Sequence, residues 1–175
     1  MTGRPEPGEY APYAAVDIAF VRGDDAIAVL RETARETMAL FGELPEERIT
    51  YGPGKWTLKE VLGHLIDDER IFAYRALCVA RADARPLPGF EEKEYVAATN
   101  FEARTFASLL REFAIVREST LALFESLTPE EWLRRGIVNG YEASLRGLAF
   151  HIAGHELHHH RVVRERYSIS PRARA

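Results

Sequence analysis

Apolar residues recur along the chain at intervals of three and four, the spacing of a helix that buries one face. Four stretches carry the pattern. The first is predicted to start with Asp24 as N-cap and to place Ile27, Leu30, Ala34, Met38 and Phe41 on one face, stopping at Gly42. The second opens at Thr57-Leu-Lys-Glu60, a capping box in which hydroxyl and carboxylate satisfy two free amides of a helix start. Its stripe is Leu58, Val61, Leu62, Leu65, Phe72, Ala76 and Val79, and Pro86 and Pro88 end it near Asp83. A third is predicted from about Asn100, with Phe106, Leu109, Leu110, Phe113, Thr120, Phe124 and Leu127 inward. Thr128-Pro-Glu-Glu131 opens a short extra turn with proline at its tolerated first position. Gly136 to Gly140 reads as a break, and Ser144 as the cap of a fourth helix to about Tyr167.

Four amphipathic helices predict an all-α fold, a four-helix bundle. Residues 82–99 form a long connection with prolines, a glycine, Phe90 and Tyr95. Such a stretch is uncommon in a compact domain unless it is a lid or a crossover, so one crossover is expected there. The whole chain of 175 residues is read as a single domain. Four apolar stripes leave hydrophobic surface to spare, and a homodimer is expected.

Composition narrows the classes. No apolar run approaches the ~20 residues of a membrane span, and the opening MTGRPEPGEY lacks the apolar core of a secretory signal. A lone cysteine, Cys78, makes no internal disulfide, which fits a reducing cytoplasm. The net charge of −4 argues against a nucleic-acid partner. Five arginines do gather at the end (161, 164, 166, 172 and 174), where cations complement the C-terminal dipole of a helix; phosphate contacts are the other reading.

Five of the six histidines fall in one stretch, His151, His155, His158, His159 and His160. The fourth helix's stripe reads Leu145, Leu148, Ile152, His155, His159, Val162, Arg166, so His155 and His159 stand where apolar residues are expected. His151 and His158 lie near its edge, and His160 points to solvent. The sixth, His64, flanks the second helix's stripe with Asp68 and Arg75 aligned along it. Two imidazoles at i and i+4 share one helix face at metal-binding distance. The plainer alternative is a hydrogen-bonded core pair or a surface cluster. His155-Glu-Leu-His-His159 also fits the H-E-x-x-H pattern of zinc proteases. Nothing after it supplies the further ligand, and nothing before it reads as a sheet edge for a peptide, so a protease is not expected.

Gly54-Lys-Trp56-Thr-Leu-Lys-Glu-Val-Leu-Gly-His64, then Ile152-Ala-Gly-His155-Glu-Leu-His-His159 about ninety residues later, resemble the DinB/YfiT-like superfamily of bacterial four-helix bundles. The resemblance spans about residues 20–168. It implies a divalent ion, with zinc, nickel, iron and manganese all open, held by His64, His155 and His159. It also implies a small-molecule substrate and, in some relatives, a low-molecular-weight thiol co-substrate with transferase activity.

Such a centre is chemically sensible. A metal ion lowers the pKa of bound water or thiol, and neutral imidazoles leave its positive charge free to favour an anion. Asp68 and Glu156 are the candidate acid–base or orienting groups, with a structural salt bridge, Asp68 to Arg75 for instance, as the alternative. Arg117 is a candidate anion anchor or a paired arginine, and Trp56 a core residue rather than a substrate platform. His151 and His158 are expected to orient ligands. The competing function is a non-catalytic metal- or ligand-binding bundle.

Overall fold

The computed structural model describes residues 3–167. Its helices are α1 (Ala15–Phe20), α2 (Ala26–Gly42), α3 (Leu58–Ala80), α4 (Glu92–Ala97), α5 (Phe106–Glu125), α6 (Pro129–Trp132) and α7 (Leu145–Arg166). A hairpin of β1 (Arg135–Val138) and β2 (Tyr141–Ser144) precedes α7. The bundle is made by α2, α3, α5 and α7. Both α2 and α3 pack on α5 and on α7, so α2/α3 and α5/α7 occupy the diagonals.

The helix starts follow their sequence signals. Thr57 and Glu60 form the reciprocal capping box of α3, Thr128 and Glu131 that of α6, and the Ser144 hydroxyl accepts from Gly147 N at the start of α7. The N-cap of α2 is Asp25 rather than Asp24, since the Asp25 carboxylate reaches the Ala28 amide. The third long helix begins at Phe106, capped by Thr105. Within the connection, residues 92–97 form a short helix of their own, and 101–103 form a separate turn where the third helix was expected to start. The segment joins packed neighbours α3 and α5, and α4 lies on α3.

Two elements were not anticipated. The break at 136–140 is the turn of the β1–β2 hairpin, in which Val138 pairs with Tyr141. Asn139 and Gly140 both take positive φ there, 52° and 79°, as a two-residue primed turn requires. The short α1 packs on α7 at Gly154, where a Cβ would stand 2.3 Å from the Asp17 carbonyl oxygen. Only a glycine lets the two backbones approach so closely.

A polar layer divides the core. On α2 it falls between Leu30 and Phe41, on α3 between Ile66 and Phe72, on α5 between Val116 and Leu121, and on α7 between Ile152 and Val163. Each long helix contributes: Thr33 and Thr37, Glu69, Arg117, and Glu156 with His160, all buried. Arg117 donates through Nε and Nη2 to the two oxygens of Glu69, both at 2.8 Å. Nη2 also reaches Glu156 at 2.8 Å, and Nη1 the Leu30 carbonyl at 2.5 Å. Burial alone would weaken the charge on Arg117, but the two carboxylates outweigh it and hold its pKa above the usual range. The Thr37 hydroxyl donates to Glu156 at 2.5 Å and lies 2.5 Å from His160 Nε2.

This layer corrects the predicted face of the last helix. The buried stripe of α7 runs Leu145, Leu148, Ala149, Ile152, Ala153, Glu156, His160, Val163. It is turned about one residue from the apolar reading because Glu156 and His160 are core residues. His160 does not face solvent; it is fully buried. Of the terminal arginines, Arg161 pairs with Glu165 and Arg164 with Glu36, as a solvated helix end does. Arg172 and Arg174 lie outside the described residues.

Candidate metal centre

The same rotation puts His155 and His159 on the flank of α7 that faces α3. His64 Nε2 comes to 3.1 Å from His155 Nε2, and His159 Nε2 to 3.2 Å from the same atom. The three ligand atoms lie within 4.8 Å of one another. With metal–nitrogen bonds of about 2.0–2.1 Å, ligands at tetrahedral or octahedral angles stand roughly 2.9–3.4 Å apart. The two spacings from His155 fall in that range. Among the described residues, this trio is the group of His, Cys, Asp and Glu able to hold an ion.

Of the three imidazoles, His155 is held from behind by a carboxylate, while Nδ1 of His64 and of His159 has no hydrogen-bond partner among the described residues. Asp68, one turn after His64 on α3, brings Oδ2 to 3.2 Å from His155 Nδ1. That contact fixes His155 with Nε2 directed at the centre, the usual arrangement of a carboxylate behind a ligating histidine. The alternative salt bridge of Asp68 to Arg75 does not form within 4 Å. Trp56 packs against the His64 ring at a centroid distance of 4.8 Å. One turn before His155, His151 stacks on Phe72 at 4.0 Å. His158 turns outward instead, with Nδ1 3.2 Å from Asp17.

Electrostatics favour neutral ligands at two positions. Burial, and then the charge of His155, push the pKa of His64 down to about 3, and the same causes hold His159 well below the ordinary value. Burial also lowers His155, but Asp68 reverses the effect and leaves it raised. Asp68 is itself desolvated, and the imidazole outweighs this to hold its carboxyl below the usual range. A neutral imidazole is the form that binds metal.

Glu156 stands apart from these residues. Its carboxylate is taken up by Arg117 and Thr37 in the polar layer, and Arg117 is fully engaged there too. Two more residues border the centre: Glu92, which the sequence reading missed, and Arg75, which it named only as a possible partner of Asp68. Glu92 on α4 places Oε2 3.8 Å from His64 Nε2. Arg75, three turns beyond His64 on α3, lines a crevice of about 420 Å³ that opens on His155 between α1, α3 and α4. Phe90 and Glu92 bound the same crevice, so the connection at 82–99 borders it.

The four long helices and the three histidines that converge between α3 and α7 define a helical bundle with a candidate metal centre. Residues 29–163 match the family model of the DinB superfamily, and the chain belongs to that family. Among solved structures it is similar to YfiT from Bacillus subtilis, described as a probable metal-dependent hydrolase with an unusual four-helix bundle topology. The two share 18% sequence identity, 93% of each chain is covered, and the TM-score is 0.72. No curated protein sequence matches the chain.

Proposed function

We propose that this protein is a divalent-metal enzyme of the thiol-transferase type, adding a low-molecular-weight thiol to a small electrophilic molecule in the crevice beside His155. The supporting observation is the convergence of three Nε2 atoms, one of them on His155, which lines a crevice that a small molecule can enter. A divalent ion there would supply Lewis acidity and a lowered pKa for a bound thiol or water. His64, His155 and His159 would hold it, and Asp68 positions His155. Phe72 and Phe90 give the crevice an apolar wall. Hydrolysis is the second reading, favoured by the likeness to YfiT and requiring the same residues with water as nucleophile.

The proposal includes a homodimer working in the cytoplasm. Among the described residues, no helix is long and apolar enough to cross a membrane. Light scattering at micromolar concentration tests the dimer, and a monomer mass removes it.

The deciding experiment uses untagged protein purified without a nickel column, because His-rich sites acquire nickel readily. Elemental analysis is expected to find one divalent ion per chain, lost in His64→Ala, His155→Ala and His159→Ala. A panel of glutathione, mycothiol and bacillithiol with 1-chloro-2,4-dinitrobenzene then reads thiol transfer, and p-nitrophenyl acetate reads hydrolysis. Full metal retention in His64→Ala overturns the cross-helix centre. Metal-dependent ester cleavage without thiol transfer overturns the transferase reading in favour of the hydrolase.

A further inference from the structure

Arg75 is an unusual residue for the place it occupies. It is 3% exposed, yet among the described residues no carboxylate oxygen lies within 4 Å of its guanidinium, whereas buried Arg117 has two carboxylates on it. Among the described residues its guanidinium makes one hydrogen bond, from Nη2 to the Pro88 carbonyl at 2.7 Å. Phe72 and Phe90 flank the guanidinium, with Cζ 4.5 Å and 5.6 Å from their ring centroids. Cation–π contacts of this kind hold the plane of the group without using its remaining N–H donors. Those donors belong to the wall of the crevice that ends at His155.

The nearby acids are committed or face outward. Asp68 is on His155 and Asp17 on His158. Glu91 is exposed at the rim, and half-exposed Glu92 is on His64, with Oε2 3.8 Å from its Nε2. A buried cation without a counter-ion is costly unless something supplies the opposite charge. A guanidinium held flat matches a carboxylate through two parallel hydrogen bonds. The four acids around the crevice disfavour a doubly charged anion.

We propose that Arg75 is the anchor for a substrate carboxylate, so that the enzyme acts on a small monoanionic carboxylic acid with an apolar or aromatic body lying along Phe72 and Phe90. The inference rests on reading this crevice as the substrate site. The carboxylate sits at Arg75, and the reacting carbon is thereby directed toward the His64–His155–His159 centre.

The test titrates benzoate, and neutral benzamide as its isostere, into isotopically labelled protein with and without zinc, following the Arg75 Nε–Hε resonance. The expected result is a saturable shift of that resonance by benzoate and none by benzamide. Arg75→Met, which keeps the apolar stem, is expected to weaken benzoate binding about tenfold or more, the scale of a charge-assisted hydrogen-bond pair. It should bind as much zinc as the wild type. Equal binding of benzoate and benzamide, benzoate affinity unchanged in Arg75→Met, or an unmoved Arg75 resonance overturns the inference. The wild-type resonance decides the matter even if the variant fails to fold. Failure of the metal centre itself shows separately, as absence of zinc uptake by the wild type.

Discussion

The Asp68 carboxylate sits 3.2 Å from His155 Nδ1, and both side chains come from helices already committed to the core, α3 and α7. The pair therefore sets the direction of His155 Nε2 before any ion arrives. Asp68→Asn keeps the shape but removes the charge that favours a proton on Nδ1. Metal affinity is expected to fall by about 10–100-fold, the usual effect of losing a carboxylate behind a ligating histidine. Competition with a chromophoric chelator measures it, and unchanged affinity would mean that Asp68 is only a packing residue.

His160 tests the polar layer. Facing solvent, it would be dispensable for both metal binding and stability. Buried against Thr37 and Glu156, it is not dispensable for stability. His160→Ala leaves a cavity and strands part of a hydrogen-bonded cluster, with an expected cost of roughly 2–4 kcal/mol. Denaturant unfolding of the metal-free protein reads this cost, while the ion count per chain stays at the wild-type value. A loss under about 0.5 kcal/mol, the range of ordinary surface substitutions, would contradict the burial.

Much of the bundle was legible because its signals are local. The Thr57 capping box and the Ser144 cap needed no tertiary knowledge, and the i, i+4 pair His155 and His159 placed two ligands on one face. The resemblance added His64. What escaped depends on partners distant in sequence. Six residues of α1 are too few to show a period, and α1 is held by its approach to Gly154. Asn139-Gly140 carried a strong hairpin signal, but strands of four residues gave too little alternation to support it. The face of α7 was misjudged by one position because Glu156 counts as polar until Arg117, from another helix, neutralises it. Arg75 and Glu92 became part of the site only once α1, α3 and α4 closed around a crevice.

The buried histidines make the metal-free protein acid-sensitive. In the fold His64 is lowered to about 3 and His151 to about 4, and His159 and His160 are lowered as well, burial being the first cause for each. In the unfolded chain they titrate near about 6.5. A depressed pKa gives stability that is present above the unfolded value and lost as pH falls toward the folded one. His155 is raised, so its contribution is fully present below about 6.5 and does not add to the loss. Asp68 matters only below its ordinary value of 3.8. Between pH 7 and 5 the metal-free protein is expected to lose roughly 3–6 kcal/mol, with about three protons taken up on unfolding. Thermal melts in chelator check this, and a flat melting temperature across that range would contradict neutral burial of these imidazoles.

Two glycine-to-alanine changes should act with opposite sign. At Gly154 the new methyl would stand 2.3 Å from the Asp17 carbonyl oxygen and 2.5 Å from its carbon. Both are backbone atoms, so the clash is relieved only by lifting α1 off α7. The helix-propensity gain of about 1 kcal/mol over glycine is outweighed by that displacement. At Gly42, the last residue of α2, the methyl meets nothing closer than Leu110 Cδ1 at 3.9 Å, an ordinary contact. There the alanine should stabilise by about 0.4–1 kcal/mol, mostly by narrowing the unfolded ensemble. Gly154→Ala is expected to destabilise by roughly 1–3 kcal/mol and to speed amide exchange across residues 15–20. Because Tyr13 and Asp17 wall the crevice, it should also loosen benzoate binding without removing the ion. Normal stability and normal exchange in Gly154→Ala would show that α1 is not seated on α7 through this glycine.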